Sequence, residues 1–339
     1  MDHVPERLYD DEELLSGFLG CVPYSYGENA YVGKTAGGLR QMITEKPKGF
    51  QNLNYVDGEY SLEVKLEAMD ECGVDRAVIK IPCWQEWLRV DTCRLVNDDA
   101  ADMCRRSGGR LYALACVPPW HNKENVYELE RCIKELGMCG IQLSCHYGQL
   151  YLDDPVFRPM LKVINDLKVP VYVRHTPLPV DWAHVIDYTN VRRTLGRVID
   201  QSIAVSRELF SGMFAELPDL KMVHTLLGGN FYSDMGAMIP RPSTKKESMD
   251  RLETERDKLL GYLENNLYFE ATHASTLGKV QLESAIKICG ADHILFGSSF
   301  PVFHNWLCDG VEAVKSLDIS EAEKALVLGD NAARIFNLK

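Results

Sequence analysis

Seven short apolar runs recur along the chain, each of strand length, at residues 76–82, 111–117, 140–144, 169–175, 220–224, 267–271 and 293–297. They are rich in aliphatic and β-branched residues and show no polar alternation. That is the pattern of strands buried on both faces, as in a parallel sheet. Between them lie stretches at helical spacing. Residues 63–72 place Val64, Leu66, Ala68 and Met69 near one side and end at Gly73, a residue suited to a helix C-terminus. Residues 125–136 and 155–167 repeat the pattern, and Ser320 with Glu323 reads as a capping box. Strands alternating with helices predict an α/β fold, a (β/α)8 TIM barrel one strand short. A doubly wound sheet would want a GxGxxG turn after its first strand, and the sequence has none.

The first strand is therefore expected to be truncated or replaced, with residues 18–22 as the candidate substitute. Residues 20–60 carry Gly27, Gly33, Gly37, Gly38 and Gly58 with little periodicity. Residues 1–60 thus read as an N-terminal segment and loop over the barrel, and 61–339 as the barrel domain. Two more insertions are expected. Residues 176–210 read as mainly helical, and residues 230–260 as broken at Pro240-Arg241-Pro242 and then charged and helical.

The 339 residues carry a formal net charge of −12, which argues against a nucleic-acid or anionic-membrane surface. The basic pair Lys245-Lys246 is followed at once by Glu247. No run reaches the roughly 18 apolar residues of a membrane span. The 11 cysteines form no CxxC pair, and Asp2-His3-Val4-Pro5-Glu6 is unlike a secretory leader. Reduced thiols in a cytoplasmic protein are the expectation.

In barrels of this kind chemistry is built at the C-terminal ends of the strands. The polar residues there are Cys83-Trp84, Trp120-His121, Ser144-Cys145-His146, Arg174-His175, His224-Thr225, Thr272-His273 and Ser298-Ser299. His175 and His224 each close a strongly apolar strand, where a polar tip is costly unless partnered. An imidazole there can ligate a metal or move a proton near neutral pH.

Several segments together resemble the amidohydrolase-related group that contains aminocarboxymuconate-semialdehyde decarboxylase and related aromatic-acid decarboxylases. They are LEAMDECGVDRAVI at 66–79, Leu152-Asp153-Asp154-Pro155, Arg174-His175-Thr176-Pro177, Leu217-Pro218-Asp219-Leu220-Lys221 leading to His224 and Gly228-Gly229, Phe296-Gly297-Ser298-Ser299-Phe300-Pro301, and the closing helix at 331–336. The resemblance spans residues 60 to 337. It implies one divalent ion, commonly zinc, held by an HxH pair on strand one, the strand-five His and a strand-eight Asp, with a strand-six His as acid or base. Carried over, His175 is a ligand, His224 the catalytic His, and His3 the remnant of the HxH pair. Ser299 stands where the Asp belongs, and a neutral hydroxyl is a weak ligand.

The favoured expectation is thus a hydrolase or carbon–carbon lyase acting on a small planar carboxylic acid or lactone. It would work without the usual metal and with no resident cofactor. His224 and His175 would be catalytic, and Arg174, Arg241, His146, Trp84 and Ser299 would bind substrate, with Tyr147 a further aromatic contact. Two alternatives stand beside it. One is a catalytically silent partner of an intact homologue. The other is a decarboxylase using zinc or another divalent metal in a rearranged site, with Glu270 recruited as a ligand. The resemblance also implies a homodimer.

Overall fold

The structure is a computed structural model and describes residues 1–82, 84–188, 191–241 and 252–339. Cys83, Pro242, the pair Lys245-Lys246 and the charged stretch around it lie outside the described residues. Among the described residues there are twelve strands: β1 (Asn29–Lys34), β2 (Arg40–Glu45), β3 (Gln51–Val56), β4 (Ala77–Ile79), β5 (Leu111–Cys116), β6 (Gly140–Ser144), β7 (His146–Tyr147), β8 (Leu150–Tyr151), β9 (Val171–Arg174), β10 (Met222–His224), β11 (Leu267–Thr272) and β12 (Ile294–Gly297). Each apolar run of the sequence carries one of the strands β4, β5, β6 and β9 to β12. The chain divides into two compact units, Met1–Leu143 with Ser299–Leu307, and Ser144–Ser298 with Cys308–Lys339.

In the first unit β4, β5 and β6 are parallel neighbours, with helix Leu62–Cys72 before them and helices Val90–Arg106 and Lys123–Lys134 between them. Gly73 ends the first of these helices in the left-handed conformation, at φ 66°. Residues 1–3 complete the strand set. The Met1 ammonium donates to Val78 O (2.8 Å), Lys80 N to Met1 O (3.0 Å), His3 N to Lys80 O (2.7 Å) and Asp2 N to Phe300 O (2.6 Å). Asp2 forms a parallel bridge with Lys80. The first strand is therefore short but present, supplied by the first three residues. Residues 18–22 do not replace it. They belong to a helix, Glu12–Cys21, which opens where Asp11 accepts from Leu14 N at 3.0 Å.

The stretch read as a long loop holds a three-stranded antiparallel sheet, β1-β2-β3. One hydrophobic cluster ties it to the helices. Trp84, 2% exposed, stacks edge-on with Phe18 (ring centroids 4.5 Å) and tilts against Tyr55 (4.6 Å).

Beneath this cluster lies a buried cation. The Lys65 ammonium donates to Tyr60 O, and burial pushes its pKa down to about 7, opposed by Glu6, Asp2 and Asp99. The unfolded chain keeps that proton to about pH 10, the ordinary lysine range, whereas the folded chain releases it near 7. Stability is therefore expected to rise with pH between those values and to be lost as pH falls toward 7. Lys65→Met should flatten this slope in urea unfolding curves. An equal slope in wild type and variant would show that the cost lies elsewhere.

In the second unit β9, β10, β11 and β12 are parallel in that order, backed by helices Arg197–Phe210, Arg256–Asn265 and Lys279–Cys289. Glycines let the backbone close in at one point. Gly229 has φ 70°, and a Cβ there would lie 2.0 Å from Val198 O and 2.4 Å from Ser202 Oγ on the helix side. Ser320 and Glu323 form the expected capping box. Among the described residues no helix is long and apolar enough to cross a membrane. Among the described residues eight cysteines are free thiols, but Cys72 and Cys308 are disulfide-bonded, which departs from the expectation of reduced thiols throughout.

Candidate active site

β10 spans three residues, and what His224 touches fixes which way its side chains point. His224 is fully buried. Its Nδ1 donates to Gln201 Oε1 (3.0 Å), and its Nε2 lies 2.7 Å from Glu208 Oε2. Gln201 and Glu208 both belong to the helix Arg197–Phe210, so His224 faces the helix layer. Val173 and Phe269 lie beside His224 in the parallel register and share that face. Phe269 confirms it, because a Cβ on Gly228 would meet both its ring (2.7 Å) and Val205 of that helix (3.2 Å).

Side chains alternate along a strand. Arg174 on β9 and Glu270 and Thr272 on β11 therefore face the other, inner side. All three are buried, and Thr272 donates its hydroxyl to Glu270. The inner face of β12 makes room for the carboxylate. A Cβ on Gly297 would lie 1.2 Å from Glu270 Oε1. The inner C-terminal rim of this unit thus carries a guanidinium and a carboxylate with no bulk across from the latter.

His175 follows Arg174 and is oriented by Thr225. The Thr225 hydroxyl oxygen accepts from His175 N (3.0 Å) and from Gln201 Nε2 (3.1 Å). With both lone pairs taken, its proton is left for His175 Nδ1, 3.3 Å away. Gln201 Nε2 also donates to Val173 O (3.4 Å), which fixes the amide so that Oε1 faces His224. A directed chain runs from His224 through Gln201 and Thr225 to His175, and in the neutral His175 ring it places the proton on Nε2. Burial pushes the Glu208 carboxyl up, with His224 opposing it.

A second polar cluster surrounds Asp200. His146 Nε2 lies 3.1 Å and Cys145 Sγ 3.2 Å from Asp200 Oδ2, and the Tyr151 hydroxyl donates to Oδ1 at 2.6 Å. Burial alone would raise the Asp200 carboxyl. Hydrogen bonds from His146, Tyr151 and Cys145 outweigh it and hold the group below the usual range.

The remaining expected residues fall elsewhere. Trp84 is a core side chain of the first unit, and its contacts are those of packing. Arg241 is exposed. Ser299 is buried with φ 52°, a left-handed backbone. His3 lies on Asp99 of the helix Val90–Arg106, 3.2 Å from its carboxylate, and burial pushes its pKa down. It therefore faces a helix, while Asp2, on the opposite side of the strand, pairs with Lys80. The metal set implied by the resemblance does not fit these residues. His3 is turned to the helix layer, Ser299 is neutral, and His175 Nδ1 accepts a hydroxyl proton. The sequence reading weighed Glu270 only as a substitute ligand and passed over Asp200, Gln201 and Thr225, which carry no motif.

An alternating α/β chain with its polar groups gathered at strand ends defines a barrel enzyme class. Residues 70–338 match the amidohydrolase family, and the chain belongs to it. It is 28% identical over 290 residues to the gamma-resorcylate decarboxylase of Polaromonas sp., covering 81% of this chain and 86% of the relative. It is 22% identical over 292 residues to the 2-amino-3-carboxymuconate-6-semialdehyde decarboxylase of Dictyostelium discoideum, covering 81% and 76%. Among solved structures, it resembles 5-carboxyvanillate decarboxylase from Sphingomonas paucimobilis (TM-score 0.71, 22% identity, 83% and 85% covered). It also resembles dihydroxybenzoic acid decarboxylase from Polaromonas sp., solved with bound manganese and the inhibitor 2-nitroresorcinol (TM-score 0.68, 23% identity, 81% and 86% covered). The fold is thus of the (β/α)8 barrel class. The expectation of no resident cofactor finds no support here. That relative holds manganese, and Cys145, His146 and Asp200 are grouped closely enough to hold an ion.

Proposed function

We propose that this chain is a carbon–carbon lyase that decarboxylates a small planar aromatic carboxylic acid. The observation that carries the reading is the buried Arg174 guanidinium on the inner rim, followed by a histidine whose proton is placed by a hydrogen-bond chain. In a family whose curated relatives include decarboxylases of such acids, a guanidinium is suited to hold an anionic planar substrate. The carbon–carboxylate bond breaks, carbon dioxide leaves, and the electron pair stays on the ring carbon. The Nε2 proton of His175 goes to that carbon, and solvent restores it. His224 is then a positioning residue, acting through Gln201 and Thr225. Glu270, buried on the same inner face, adds a carboxylate to the rim. A barrel domain at 61–339 preceded by a 1–60 segment, a homodimer and a cytoplasmic location complete the proposed reading.

The test is a panel of hydroxybenzoic and related acids incubated in D2O, with carbon dioxide release and deuterium at the vacated carbon as readouts. One carbon dioxide and one ring deuterium per acid consumed are expected. His175→Gln should lower kcat by about 10²- to 10⁴-fold. His224→Ala should lower kcat with KM little changed. No turnover of any acid by the wild type, with or without added manganese or zinc, would overturn the proposal. A second reading, a catalytically silent subunit, is favoured by Ser299 standing in place of a carboxylate. A stable complex with an active homologue would support it.

A further inference from the structure

We propose that Cys145, His146 and Asp200 form a transition-metal site at positions other than the ligand positions the resemblance implies. The three residues come from three elements. Cys145 follows β6, His146 opens β7, and Asp200 lies in the first turn of the helix Arg197–Phe210. All are buried, and their ligand atoms lie within 4.8 Å of one another. One thiol, one imidazole and one carboxylate are a donor set that zinc and cobalt accept, with a further position for a fourth ligand.

The distances suit such an ion. Tetrahedral zinc bonds would set the nitrogen–oxygen separation near about 3.4 Å and the sulfur–oxygen separation near about 3.6 Å. The observed 3.1 and 3.2 Å require the ligands to open by a few tenths of an ångström. The Thr176 hydroxyl, 2.7 Å from His146 Nε2 and 3.5 Å from Asp200 Oδ2, stands beside the same gap as a neutral fourth group.

The outer contacts are those that metal ligands use. His146 Nδ1 donates to Gly148 O at 2.9 Å, so an ion would bind Nε2 and displace its 3.1 Å contact with Leu178 O. Tyr151 holds the Asp200 oxygen that is not shared, at 2.6 Å. Charge also balances. The thiol proton leaves as the divalent ion enters, and any proton on Nε2 leaves with it, so the added positive charge is offset by the thiolate and the Asp200 carboxylate.

The test uses the full chain stripped with chelator and titrated with cobalt(II) alone. About one cobalt per chain is expected, with a thiolate-to-cobalt charge-transfer band that C145S removes. Tyr151→Phe keeps all three ligands and should weaken cobalt binding by about 10- to 100-fold. Should C145S fail to fold, crystals of the wild type grown with zinc give an independent readout. An anomalous peak at bonding distance from Cys145 Sγ, His146 Nε2 and Asp200 Oδ2 supports the site. A band that persists in folded C145S, or zinc-grown crystals with no peak at those three atoms, overturns it. Neither readout depends on catalysis, so failure of the decarboxylase reading leaves this result intact.

Discussion

Glu208→Ala is expected to destabilise the protein by about 3–5 kcal/mol, because it strands one partner of a fully buried pair. Glu208 and His224 are both 0% exposed, and their atoms meet at 2.7 Å. Without the carboxylate, His224 Nε2 loses its 2.7 Å partner in a fully buried position. For a chain of this length the loss corresponds to a fall in melting temperature of roughly 5 °C. Replacing both partners with leucine should recover most of the stability, because the pair is removed rather than broken. The double variant also separates stability from chemistry. The proposed chain from His224 to His175 would still be cut, so kcat should stay low in a protein that melts near the wild-type temperature. A double variant with restored stability and full kcat would show that His224 serves packing alone.

Gly297→Ala is the sharpest single change on the inner rim. The added methyl would fall 1.2 Å from Glu270 Oε1 and 2.2 Å from its Cδ, so the carboxylate has to leave its position. Overpacking of a buried site costs about 1–3 kcal/mol. The effect on turnover should be larger, approaching that of Glu270→Gln, since both disturb the same carboxylate on the inner rim. Thermal melting with steady-state kinetics on the acid found in the panel checks both parts. Wild-type kcat/KM in a destabilised variant would remove Glu270 from the site.

The strand set was legible because strands buried on both faces are apolar throughout. For the same reason their facing was not. In such a strand the inner and outer residues are equally hydrophobic, so nothing in Met222-Val223-His224 says which way His224 points. Only Gln201 and Glu208, on a helix some twenty residues earlier, decide it. His3 was misread the same way, its direction being set by Asp99. The antiparallel sheet β1-β2-β3 escaped notice because its strands mix Asn, Gln, Thr and Gly and alternate weakly. Cys145, His146 and Asp200 are 55 residues apart in sequence at the extremes, and no spacing rule joins them. The resemblance pointed to strand ends, and the direction of each side chain there came from the packing.

The Gly228-Gly229 turn has a consequence for how this lineage can vary. With Val198 O and Ser202 in the space a methyl would take, position 229 admits no substitution until the facing helix moves. That helix carries Asp200, Gln201 and Glu208, so its displacement would disturb both polar clusters at once. Drift in the turn is therefore coupled to the chemistry of both clusters, and a change of specificity that starts there has to carry the helix with it.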